Sequence, residues 1–135
     1  MKIRSTFLSL AVLATAFTGT VLASGTANAS SGGGCTTATA SGASVKACIS
    51  ASGANLEPDG YILANSGCAE AYLEIIDETN GTVNAVIDYS CSLGHKGPAA
   101  YGGTNGHSYY SKLFLVTASG STIVSANSPV EKFAD

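Results

Sequence analysis

The chain has 135 residues, 45% of them hydrophobic, with six Lys and Arg against nine Asp and Glu. Cations this few and this scattered argue against nucleic acid, whose binding rests on Lys and Arg neutralising phosphates, and equally against anionic membrane surfaces. Four cysteines in a chain long enough for one domain point to a small disulfide-stabilised fold.

Residues 1–29 read as a secretory signal. Lys2 and Arg4 form a positive start, an apolar run extends from Phe7 to Val21, and Ala27-Asn28-Ala29 supplies a small-x-small cleavage pattern. The run is about 15 residues, short of the roughly 20 needed to span a bilayer. Cleavage would leave 106 residues from Ser30, with four lysines against nine acids and no arginine. Such a domain buries roughly 60–65% of its unfolded surface.

Residues 30–34 (SSGGG) are expected to be a flexible leader, residues 35–130 the folded domain and residues 131–135 a C-terminal tail. Thr36 to Ala40 alternates Thr and Ala. Val45, Ala47, Ile49 and Ala51 alternate with Lys46, Cys48, Ser50 and Ser52, the period of a half-buried strand. Pro58-Asp59-Gly60 reads as a turn ahead of Tyr61-Ile62-Leu63-Ala64. Ala69, Ala71, Leu73 and Ile75 make one face of the next strand, with Glu70, Tyr72 and Glu74 on the other. Asn80-Gly81 is a hairpin signal because these residues reach positive φ cheaply. Val83, Ala85, Ile87 and Tyr89 follow in alternation, then the apolar run Ser108–Thr117, then Thr122–Ala126, with Pro129 ending the sheet. About seven short strands with no helical period predict an all-β fold, an antiparallel β-sandwich, Ig-like or related.

Cys35, Cys48, Cys68 and Cys91 are separated by 12, 19 and 22 residues, spacings that suit two disulfides rather than zinc. A four-residue loop at 78–81 would set Cys68 opposite Cys91 and leave Cys35 for Cys48. Matching the apolar faces, Leu73 to Ile87 and Ile75 to Ala85, shifts that register by one and places Cys91 beside Ala69. A single β-bulge would reconcile the two. Without it, Cys91 could cross between sheets to Cys35 or Cys48. The sequential pairing is preferred, and the other connectivities stay open.

The stretch 92–107 is about 16 residues of Gly-rich loop, a length that in a compact domain is usually functional or disordered. It carries His95 and His107, the side chains that titrate near neutrality. No Ser nearby lies in a nucleophile elbow, and a metal would need a third ligand that nothing supplies. Glu70, Glu74, Asp77 and Glu78 lack the spacing of a glycosidase pair or a calcium loop and read as a solvated face and turn. Tyr109 and Tyr110 point to opposite faces of their strand. Leu113 and Leu115 share the face of Tyr109, and Phe114 and Val116 share that of Tyr110. Both faces are thus apolar, which suits a central strand with one face partly covered by the long loop. An exposed Tyr101 or Tyr110 beside that loop could stack on a sugar or fill a protein pocket.

The segments NSGCAEAYLEIID (65–77), YSCSLG (89–94) and HSYYSKLFLVTASGSTIVSANSPV (107–130) resemble a class of short, disulfide-bonded, secreted β proteins of actinobacteria. In that class a Cys-plus-glycine stretch leads into a paired-Tyr strand, a Ser/Gly hairpin and a closing Ser-Pro. The resemblance implies a scaffold and carries no catalytic residue across. GCAEAYLEI is also similar to the second-cysteine strand of tendamistat-type α-amylase inhibitors. Those act through a Trp-Arg-Tyr triplet, and here Trp is absent and no Arg follows residue 29.

The expected function is therefore a secreted, non-enzymatic module that binds a protein or carbohydrate surface through loop 92–107, with His95, Tyr101, His107 and Tyr110 as contact residues. It is expected to use no cofactor and no metal. The alternatives are an inhibitor of an extracellular amylase or protease, and a small hydrolase built on the two histidines.

Overall fold

A computed structural model describes residues 30–135, and the signal segment expected at 1–29 lies outside the described residues. The strands are β1 (Ser31–Gly32), β2 (Gly34–Ala40), β3 (Ala43–Ser52), β4 (Asn55–Asn65), β5 (Glu70–Asp77), β6 (Thr82–Tyr89), β7 (Gly94–Lys96), β8 (Tyr101–Gly102), β9 (Ser108–Val116), β10 (Thr122–Asn127) and β11 (Glu131–Lys132). They form two antiparallel sheets packed as a sandwich. The first runs β1–β11–β9–β5–β6, with β10 also on β9; the second runs β2–β3–β4–β7, with β8 also on β4.

The alternating strands put their apolar sets between the sheets. Val45, Ala47 and Ile49 of β3 and Leu56 and Ile62 of β4 face Ala71, Leu73 and Ile75 of β5 and Tyr109, Leu113 and Leu115 of β9, all within 1% of complete burial. A Cβ on Gly60 would lie 2.7 Å from Leu113 Cδ2, so the glycine is where β4 makes room for the opposite sheet.

Both disulfides take the sequential pairing. Cys35 and Cys48 face each other directly across β2 and β3, with Cα atoms 4.1 Å apart. Cys68 and Cys91 lie just beyond the ends of β5 and β6 with Cα atoms 6.0 Å apart. The β5–β6 ladder contains the bulge that the two competing registers require. Ile76 pairs with Val83 but Ile75 with Ala85, leaving Asn84 as the extra residue. The slip sits near the turn, not near the cysteines, so the bridge forms outside the ladder, where strand register no longer constrains it. Disulfides of this kind persist in oxidising compartments.

Several expectations are corrected. Pro58-Asp59-Gly60 is not a turn: all three lie within β4, opposite Ile49, Cys48 and Ala47. Proline is tolerated there because its carbonyl points away from β3 and accepts a bond from Ala99 N at 3.0 Å. In a strand the nitrogen of a residue points to the same side as its carbonyl, so the missing N–H costs the β3–β4 ladder nothing. Nor is residues 30–34 a free leader, or 131–135 a free tail. Pro129 only interrupts the sheet, since β1 pairs with β11 and β11 with β9. Ser30 Oγ donates to Ala134 O and accepts from Ala134 N, and Phe133 is 1% exposed in the core. Gly32, with φ of +101°, has no side chain to keep it from the Val130 backbone, so the pairing leaves no alternation for a sequence to show. Finally, loop 92–107 is not without structure of its own. β7 and β8 both pair along β4, in the second sheet, and beyond them Thr104 N reaches the Tyr109 hydroxyl of β9.

Candidate functional site

The two histidines lie on different segments and engage different carboxylates. His95, on β7, lies 2.7 Å through Nε2 from Asp59 Oδ2 of β4, with its ring 4.8 Å from that of Tyr61. Its side chain is 41% exposed. His107, just before β9, places Nδ1 2.7 Å from Oδ2 of Asp77, at the end of β5. Neither ring hydrogen-bonds a hydroxyl, and among the described residues no three His, Cys, Asp or Glu side chains group as metal ligands. This geometry does not assemble a base, an orienting carboxylate and a nucleophile at one place.

Asp77 is buried, not part of the solvated face expected for it. Burial pushes its carboxyl up, but the His107 hydrogen bond and the Asn80 and Thr79 amides outweigh that and hold it below the usual carboxylate range. The surrounding bonds are architectural. Asn80 N and Nδ2 both reach Asp77, Glu78 N donates to Ser108 O, and Phe133 N donates to His107 O. His107 therefore fastens the 78–81 turn, the end of the loop and the C-terminus to one another.

Tyr101 of β8 is opposite Leu56 and packs against the core cluster of Ile49, Leu56, Ile75, Tyr109 and Phe133. Tyr109 is buried, and its hydroxyl accepts from Thr104 N at 2.8 Å. Of the four expected contact residues, Tyr110 is half-buried on the outward side of the first sheet, whereas His95 and Tyr101 belong to the second.

What surrounds Tyr110 is a surface that the sequence does not announce as a site. Register places Tyr72 beside Phe114, Glu74 beside Lys112 and Ile76 beside Tyr110 across β5 and β9. On the β6 side, Asp88, Val86 and Val83 continue the three rows; on the β10 side, Ser125 and Asn127 continue the first two. The rings of Tyr72 and Phe114 stack at 5.4 Å, and Lys112 Nζ lies 4.6 Å over Phe114 and 3.6 Å from Glu74 Oε2. The Tyr72 hydroxyl donates to Glu70 Oε2; that bond raises the phenol above its ordinary value and keeps it protonated. Val83 and Val86 are each 54% exposed. Beside these rows a shallow pocket of about 440 Å³ is floored by Ile76 and ringed by Tyr110, Lys112, Glu74, Glu78 and Asn127. The outward face of a sandwich sheet is ordinarily polar, and this one carries aromatic rings around a central ion pair. Its sequence signal is the second apolar face of 108–117; the loop reaches the other face, where Thr104 N donates to the Tyr109 hydroxyl.

Neither the protein-family models nor the curated proteins contain a match to this chain, so the placement of its own side chains is what bears on function.

Proposed function

We propose that the protein is a secreted, non-enzymatic binding module that holds a saccharide chain on the outer face of the first sheet. The single observation behind this reading is the half-buried aromatic surface that Tyr72, Phe114 and Tyr110 form on the outward side of the sheet. Phe114 and Tyr110 are four residues apart on one strand, about 13 Å at the rise of a β-strand, which suits an oligosaccharide better than a single ring. Aromatic faces receive the C–H side of a sugar, and amide, carboxylate and ammonium groups receive its hydroxyls. Asn127, Glu78 and Lys112 supply the three polar types at the edge of the Tyr110 pocket. The Glu74–Lys112 pair neutralises the middle of the face, which favours an uncharged ligand. The apolar run Phe7 to Val21 and the Ala27-Asn28-Ala29 cleavage pattern, together with the two disulfides, support export.

Retention on insoluble chitin, cellulose and peptidoglycan tests the reading. The wild-type protein is expected to be retained on at least one of them, with about a tenfold weaker affinity after Tyr110→Ala or Tyr72→Ala. His95→Ala, on the other sheet, is expected to bind as wild type. No retention on any of the three, or retention indifferent to both tyrosines, defeats the proposal.

A further inference from the structure

We infer that β2 is a strand-addition edge and that its occupant is a second copy of this chain, paired antiparallel about a two-fold axis. Among the described residues β2 pairs with β3 on one side and with no strand on the other. An open edge presents a row of unpaired N–H and C=O groups, and sandwiches usually blunt such edges with charge, proline, bulges or brevity. The remaining edges here all carry such a device. β6 has the Asn84 bulge and Asp88; β10 has a register slip between Thr122 and Val124 and ends near Pro129. β7, β8 and β1 are two or three residues long. β2 pairs in unbroken register over seven residues, GCTTATA, with no charge, no proline and no bulge, and six of the seven are exposed.

The identity of the occupant follows from charge. Residues 30–45 and 113–130 contain no ionisable side chain except the disulfide-bonded Cys35, and these stretches supply β2 and β10. β2 and β10 pack near each other on the same flank, so that flank of an acidic molecule carries no charge on its own strands, with Lys46 opposite Thr37 on β3 the charge beside it. Two copies of a chain with excess acid repel across most approaches, but not across this one. Ala38 packs toward the core, so Thr37 and Thr39 share the outward face. A two-fold axis through Ala38 sets Thr37 of each copy opposite Thr39 of the other, and paired threonines across antiparallel strands are stabilising. A pairing of one strand buries less than a permanent interface does, so the dimer is concentration-dependent.

Sedimentation velocity over a concentration series, with hydrogen exchange at the same concentrations, tests this. Mass is expected to rise from monomer toward dimer as concentration increases, with new protection confined to β2 amides. Added salt should preserve or tighten the dimer, because it screens the repulsion between two acidic copies. The double variant Thr37→Glu/Thr39→Glu sets carboxylates opposite each other and should weaken association about tenfold. Both positions are exposed, and an unchanged thermal melt confirms the fold. A monomer at every concentration overturns the inference. So does a dimer that the variant leaves intact, or β2 protection that appears only when another protein is added.

Discussion

Ser111 is wholly buried between the sheets, where its neighbours on β9 are Tyr109 and Leu113. Its hydroxyl donates to the Cys48 carbonyl of the opposite sheet at 2.7 Å, and its amide donates to Ser128 Oγ at 2.9 Å. Ser111→Ala leaves that carbonyl without its donor and should cost about 1–3 kcal/mol in urea denaturation. Two carboxyls act on stability with opposite signs. Asp77 titrates below the usual range in the fold, so its contribution is complete above the ordinary carboxyl value and is lost as pH falls through the lowered one. Glu131 is buried, and burial raises its carboxyl. Its contribution is therefore complete below the ordinary value and is lost as pH rises through the raised one. Glu131→Gln should accordingly stabilise the protein by about 1 kcal/mol at pH 7. The gain should shrink as the pH of the melts is lowered toward 4, and Asp77→Asn should instead destabilise at pH 7.

At the scale of elements, the last strand is a seam and not an appendage. β11 bridges β1 and β9, and Phe133 lies edge-on to Tyr109, with ring centroids 6.5 Å apart. Gly103 is the close neighbour: a Cβ there would fall 2.6 Å from the Phe133 ring. Phe133→Ala should cost about 3–5 kcal/mol in denaturant titration, as for a core aromatic. A free tail would show no loss. Pattern and turn signals in the sequence locate the seven long strands, though β9 is apolar on both faces and β4 reads as a strand only from Tyr61 onward. They are silent on β1, β7, β8 and β11, which are too short to alternate and are held by backbone bonds. The same limit governs Pro58: its composition signals a turn, and only the direction of its carbonyl shows why a strand can carry it. The bulge at Asn84 is inferable because two register constraints conflict by one residue. Its position is not, since either end of the ladder would satisfy them. The candidate site was legible only as the two apolar faces of β9; which of them stays open depends on where loop 92–107 lies, and that depends on pairing with β4.

At the scale of the whole molecule, the surface divides into regions of different character. One sheet turns aromatic rings outward, the strands of the β2–β10 flank carry no charge, and the loop edge carries the His95–Asp59 pair. Binding assigned to the aromatic face and self-pairing assigned to the flank do not compete for the same residues, so a dimer could engage one polymer at two points and gain avidity. The joining of the chain ends has a further effect, on the order of assembly. Ser30 bonds Ala134, and Gly33 N donates to Val130 O, so the first described residues find their partners only among the last. In a chain made from its N-terminus, β1 waits unpaired through about a hundred residues of synthesis, until the segment 130–134 that holds it has been made.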